Sequence, residues 1–165
     1  MRTVLILFLF LAFPLEAHHG PHHGQGDKNA RDAQRVKGVY AKINASYSQN
    51  VKAIIDAKCG DCHGGPPRLP WYYSIPGIKG LIDRDIHEAQ VHLIFSNGFP
   101  FGGHGTPTED LEELKSALEK DNMPPTRYRV LHPGSSPTDN EKNAILSWIE
   151  ESQKEMGFIR EEEGK

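Results

Sequence analysis

An all-α fold is predicted by two observations on this chain. Apolar residues recur at three- and four-residue steps in segment after segment, and no alternating pattern runs long enough to make a useful strand. Thr106 and Thr138 each stand three residues ahead of a glutamate, the arrangement of a capping box at the head of a helix.

Taken in order, residues 1–17 read as an export signal. Arg2 gives the positive start, Val4 to Phe13 is a short apolar run, and Leu15-Glu16-Ala17 ends in the small residue a signal peptidase prefers. The run is shorter than the ~20 residues needed to cross a bilayer, so no membrane span is expected after cleavage. The mature protein would then be periplasmic, and removing 17 of 165 residues leaves 148, the size of one domain. The net charge is -3, and Arg2 and Glu16 cancel, so cleavage leaves it unchanged. Such a balance gives no basic excess for nucleic acid. Residues 18–28 open with His18-His19-Gly20-Pro21-His22-His23, too polar and Gly-rich to pack, and are expected to be a flexible start with some capacity to chelate copper, nickel or zinc.

The folded domain is expected over residues 29–157. Val36, Tyr40, Ile43 and Tyr47 share one helical face, and Ser48 or Asn50 is placed to cap a second short helix carrying Val51, Ile54 and Ile55 inward. Gly64-Gly65-Pro66-Pro67 breaks the helical pattern, and Pro70, Pro76 and Gly77 keep the next stretch irregular. A helix resumes with Ile78, Leu81, Ile82, Ile86, Ala89 and Leu93. Phe95 to Gly105 is a Gly- and Phe-rich loop containing His104. Thr106 caps the helix of Leu111, Leu114 and Leu118, and Thr138 caps that of Ile145, Trp148 and Ile149. Residues 158–165 form an acidic tail, expected to fray.

Cys59-Gly60-Asp61-Cys62-His63 carries the chemistry. Two thiols three positions apart can each form a thioether to a haem vinyl, and the following histidine is placed to ligate the iron from the proximal side. Export agrees with this, because bacterial c-type haem is attached outside the cytoplasmic membrane. A zinc site joining Cys59, Cys62, His87 and His92 has an over-long gap and leaves His63 idle. A thioredoxin-like pair lacks its βαβ context, and a plain disulfide does not explain the histidine.

For the distal side, Met123 is the favoured ligand. It lies in Asn122-Met123-Pro124-Pro125, where proline stops the preceding helix, whereas Met156 falls on the charged end of the last helix. His87, His92, His104 and His132 are the competing ligands, His104 being the most mobile. Trp71, Tyr72 and Tyr73 follow the motif closely and are expected to wrap the haem edge.

From about Val51 to Glu150 the chain resembles the small bacterial haem-binding domain family. The resemblance rests on CxxCH, Pro70-Trp71-Tyr72, Asp85, Phe95-Ser96, Met123-Pro124-Pro125, Tyr128, His132-Pro133 and Trp148-Ile149, in that order. It implies an all-α, exported c-type cytochrome-like domain wrapped around one covalent haem, with His63 proximal and Met123 distal. The expected function is single-electron transfer between periplasmic redox proteins, by an electron carrier more readily than an enzyme. The alternatives are a peroxidase-like enzyme with His104 as acid-base group, or a sensor whose distal ligand is displaced. Lys52, Lys58, Arg68 and Lys79 flank the motif and could steer an acidic partner, or form an ordinary solvated face.

Overall fold

A computed structural model describes residues 23–163, and the expected signal (1–17), most of the histidine tract and the last two residues lie outside them. The protein is all-α: α1 (His23–Asn50), α2 (Lys52–Lys58), α3 (Gly60–His63), α4 (Ile78–His92), α5 (Pro107–Glu119), α6 (Thr126–Leu131) and α7 (Asp139–Glu163), with a 3-10 turn at Trp71–Ser74. Among the described residues the only strand-like pairing is an isolated bridge between Ile94 and Gly102.

α1 begins at His23, ahead of the first periodic residues, and runs through Asn50. Neither Ser48 nor Asn50 caps α2: the Ser48 hydroxyl donates to Asn44 O, and Val51 takes the cap position with no side-chain hydrogen bond. The reason is a stripe that does not stop at the break. Ile43, Tyr47, Val51 and Ile55 follow one another at four-residue steps and are all buried. Val51 N donates to Tyr47 O, and Ile55 N to Val51 O, so helical bonding continues through the junction. Burial of that stripe outweighs any local capping signal.

α5 keeps its capping box, with Thr106 accepting from Glu109 N and the Glu109 carboxylate accepting from Thr106 N. Thr138 and Glu141 reproduce it ahead of α7. α7 packs against α1 and α5. Ile145, Trp148, Ile149, Ser152 and Met156 make its buried face, and the helix continues to Glu163, through the segment expected to fray. Met156 is therefore a core residue, unavailable to iron because it is enclosed.

The Gly- and Phe-rich segment closes the core. Phe95, Phe99 and Phe101 are buried and meet edge to face, with ring centroids 4.9 and 5.5 Å apart, and Phe101 meets Tyr47 at 5.3 Å. Asn44 Oδ1 accepts from Phe99 N, and a side chain at Gly98 (φ +75°) would collide with that oxygen. α4 buries none of its residues in the core. Leu81 is exposed, and α4 packs on α3 and on the Trp71–Ser74 turn.

Candidate functional site

Cys59 sits between α2 and α3, and the turn that follows puts Cys62 and His63 on the wall of a cavity of about 560 Å³. Lys58, Asp61 and the two cysteines form one side. Asp85, Glu88, Ala89 and His92 of α4 continue into Leu93 and Phe95, and α5 adds Glu113, Leu114, Ala117 and Leu118. Met123, Pro124 and Pro125 close another side, with Arg127, Tyr128 and Pro137 at the edge. The size falls in the range that takes a cofactor, and the floor is apolar where the rim is charged.

His63 is gripped at two points by the chain leaving α4. Its Nδ1 lies 2.8 Å from Leu93 O, and its own carbonyl accepts from Phe95 N at 2.8 Å. A carbonyl can only accept, so Nδ1 carries the proton and Nε2 keeps a free lone pair. Burial lowers the His63 pKa, which keeps the ring neutral as a metal ligand requires. Phe95 also packs on the imidazole, 5.4 Å between centroids.

Both cysteines are free thiols. Burial pushes Cys59 up to about 12, Cys62 adding to the shift, and burial likewise raises Cys62. Neither is the low-pKa thiolate of a thioredoxin-like pair. Among the described residues no group of three or more histidine, cysteine or acidic side chains gathers around a common point, which removes the zinc alternative through His87 and His92.

The loop bearing Met123 is tied back to the CxxCH turn. Asp121 adopts φ +50° after α5 and its carboxylate receives Arg129 at 3.0 Å. Beyond the prolines, the Tyr128 hydroxyl donates to Asp61 Oδ2 at 2.6 Å, and Arg127 forks onto both oxygens of Asp85 at 2.7 and 3.1 Å. Asp61 lies between the cysteines, so one hydrogen bond links CxxCH to the Met-Pro-Pro segment. His132 stacks on Tyr128 (3.9 Å between centroids) and its Nε2 accepts from the Tyr72 hydroxyl at 3.1 Å. Its place in the motif order is thus explained by loop closure.

Several expectations fare differently. Trp71 is 86 % exposed, and none of Trp71, Tyr72 and Tyr73 lines the cavity, so the aromatic walls are Phe95 and Tyr128 instead. The Pro-rich turn points Trp71 outward, while Tyr73 donates to Asp83. His87, His104 and His132 do not line the cavity, and His104 is fastened to His92. His92 does line it, at the end of the helix whose next residue holds His63. Lys52, Lys58, Arg68 and Lys79 pair with Asp56, Glu141, Asp61 and Asp83. The Leu93, Phe95, Asp61–Tyr128 and Asp85–Arg127 contacts were not assigned from sequence. Asp85, Phe95 and Tyr128 do fall in the motif order that carried the family resemblance.

A haem-binding domain family matches residues 23–151. The chain belongs to this family, and haem is its cofactor. It is also similar to the cytochrome c peroxidase Ccp of Escherichia coli (strain K12), 33% identical over 128 residues that make up 75% of this chain and 28% of that protein. The chain thus spans little more than a quarter of that relative's length. No solved structure matches. The donor set fits the cofactor: two thiols, a neutral imidazole with its outer nitrogen free and a thioether face one apolar cavity.

Proposed function

We propose that this protein is an exported monohaem c-type cytochrome that passes single electrons between periplasmic redox proteins. One observation carries the reading: Cys59, Cys62, His63 and Met123 line the same cavity, although Met123 comes from a separate loop sixty residues downstream of His63. Bound there, haem supplies a one-electron couple between ferric and ferrous iron.

The chain's own residues define the rest. Cys59 and Cys62 would hold the haem through thioethers, each S–H adding across one vinyl C=C so that a C–S and a C–H bond replace the S–H and π bonds. His63 offers Nε2 from one side because Leu93 O holds Nδ1. Met123 offers its sulfur, and Tyr128 and Arg127 hold the following segment against Asp61 and Asp85. Arg127 and Lys58 are the cations of the lining that could meet the anionic propionates of a haem, although Asp85 and Glu141 already pair with them. His63 and Met123 would together hold the iron, and a haem held by both would be suited to electron transfer rather than to binding a substrate. The export signal at residues 1–17 supports the periplasmic setting.

A peroxidase-like enzyme is the second reading, favoured by the name of the Escherichia coli relative. It needs an acid-base group over an open iron position. His104, the candidate for that role, is turned onto His92 and away from the cavity. The test compares two rates in the haem-loaded protein: oxidation of the ferrous form by a ferric cytochrome acceptor, and turnover of hydrogen peroxide with an excess of reductant. The carrier reading expects fast transfer and peroxide consumption well below that of the Met123→Ala variant. Steady peroxide turnover by the unmodified protein that Met123→Ala does not increase overturns it.

A further inference from the structure

His92 closes α4, and His104 lies in the loop that folds back across that helix end. His104 Nε2 and His92 Nδ1 are 3.1 Å apart, with ring planes at 67°, and both residues are exposed. The carrier reading makes no use of this pair.

Backbone builds the approach. Ile94 and Gly102 exchange two hydrogen bonds of 2.6 and 2.9 Å, and His104 N donates to Val91 O at 3.1 Å. Between them Gly103 takes φ +127°, and a Cβ there would stand 2.3 Å from His92 O. Only glycine lets the chain pass so close to the helix end, and that passage sets His104 over His92.

We propose that His92 and His104 form a site for one divalent transition cation of the zinc, copper or nickel class, with water completing the coordination. At a metal–nitrogen distance of 2.0–2.1 Å, nitrogens 3.1 Å apart subtend about 100° at the ion, between the square-planar and tetrahedral angles. The two imidazoles bind as neutral ligands. The proton on the nitrogen that now donates across the pair moves to the other nitrogen of its own ring, so no proton is lost. Negative charge stands close by on the first turn of α5. Glu109 is there, and Asp110 is 1 % exposed with one carboxylate oxygen unpartnered and turned toward Gly105, the neighbour of His104. These carboxylates offset the ion's charge without ligating it, since no third ligand joins the histidines among the described residues.

The place of the site gives it a consequence. His92 lines the haem cavity and precedes Leu93, which holds His63. A dication there favours the less positive ferrous iron, and by linkage the reduced protein binds the ion more tightly by the same factor. This consequence rests on the carrier reading, whereas the binding does not.

The test is calorimetric titration of Zn²⁺ into the haem-loaded protein in which His18, His19, His22 and His23 are replaced by Ala, so that the N-terminal tract does not compete. The expected result is one Zn²⁺ per chain, bound at least about tenfold more weakly after His92→Ala and after His104→Gln. Cu²⁺ bound to the same protein should show paramagnetic-resonance coupling to two nitrogens, and to one in either variant. Circular dichroism checks that both variants remain helical. No Zn²⁺ bound by the parent, or binding that neither substitution weakens, overturns the proposal. Zn²⁺ binding is read without reference to iron ligation, so its failure is distinct from failure of the carrier reading.

Discussion

His63, the proposed proximal ligand, has its state set by its surroundings. The CxxCH spacing places it, but its tautomer is set by Leu93 O, and its neutrality by burial. The motif was legible because its residues are neighbours in sequence. The grip was not, because a backbone carbonyl thirty positions away carries no signature in its side chain. Met123 was singled out for the opposite reason: the double proline marks its loop whatever the surroundings, and that loop lines the same cavity as His63. Trp71 misled, since closeness in sequence to the cysteines did not bring it to the cavity, and the turn at Pro70 sends it to solvent. At this scale covalent attachment makes a direct prediction. Haem should remain with the protein through acid-acetone extraction, and the protein with both Cys59 and Cys62 replaced by Ala should release all of it. Complete release from the unmodified protein would rule out thioether bonds.

Among the elements, helices were legible wherever burial enforced the periodicity, and their junctions were less so. The break between α1 and α2 is crossed by one apolar stripe, which no capping rule describes. α4, read from sequence as a helix, serves as a cavity wall and buries none of its residues, with Leu81 and Val91 exposed. Tyr128 to Asp61 joins the segment after Met123 to the CxxCH turn. Tyr128→Phe should lower stability by about 1–2 kcal/mol in a thermal melt and loosen the Met123 loop, so that the spectral sign of thioether ligation is lost at a lower temperature than unfolding. A variant whose band and melt both match the parent would show that the bond has no positioning role. Asp110 in α5 gives a pH prediction. Burial, with Glu113 and Glu109 adding, raises its pKa from 3.8 to about 6. Between those values the folded state holds a proton the unfolded state has released, so this residue's contribution to stability is full below about pH 4 and falls as pH rises toward 6. Asp110→Asn should flatten that part of the stability profile. An unchanged slope between pH 4 and 6 would assign the pH dependence elsewhere.

For the whole molecule, the cavity draws its lining from α2, α3, α4, α5 and α6 and from the segments carrying Leu93, Phe95, residues 123–125 and Pro137, and haem bound there would join the core as much as the chemistry. Leu93, Phe95, Leu114 and Leu118 are buried and line that cavity, so the cofactor would extend the core they belong to. Protein made without haem attachment should keep its α1–α5–α7 contacts but unfold at lower temperature and expose these side chains, as seen by circular dichroism and a hydrophobic dye. Equal melting temperatures with and without haem would contradict that view of the core. The central claim, that His63 and Met123 together close the iron, is tested most directly by the visible spectrum of the oxidised protein and of Met123→Ala. With His63 and Met123 as ligands, the parent should show a weak red charge-transfer band that the variant lacks, and carbon monoxide should bind poorly to the ferrous parent and readily to the variant. A high-spin parent without that band, already open to carbon monoxide, would contradict it.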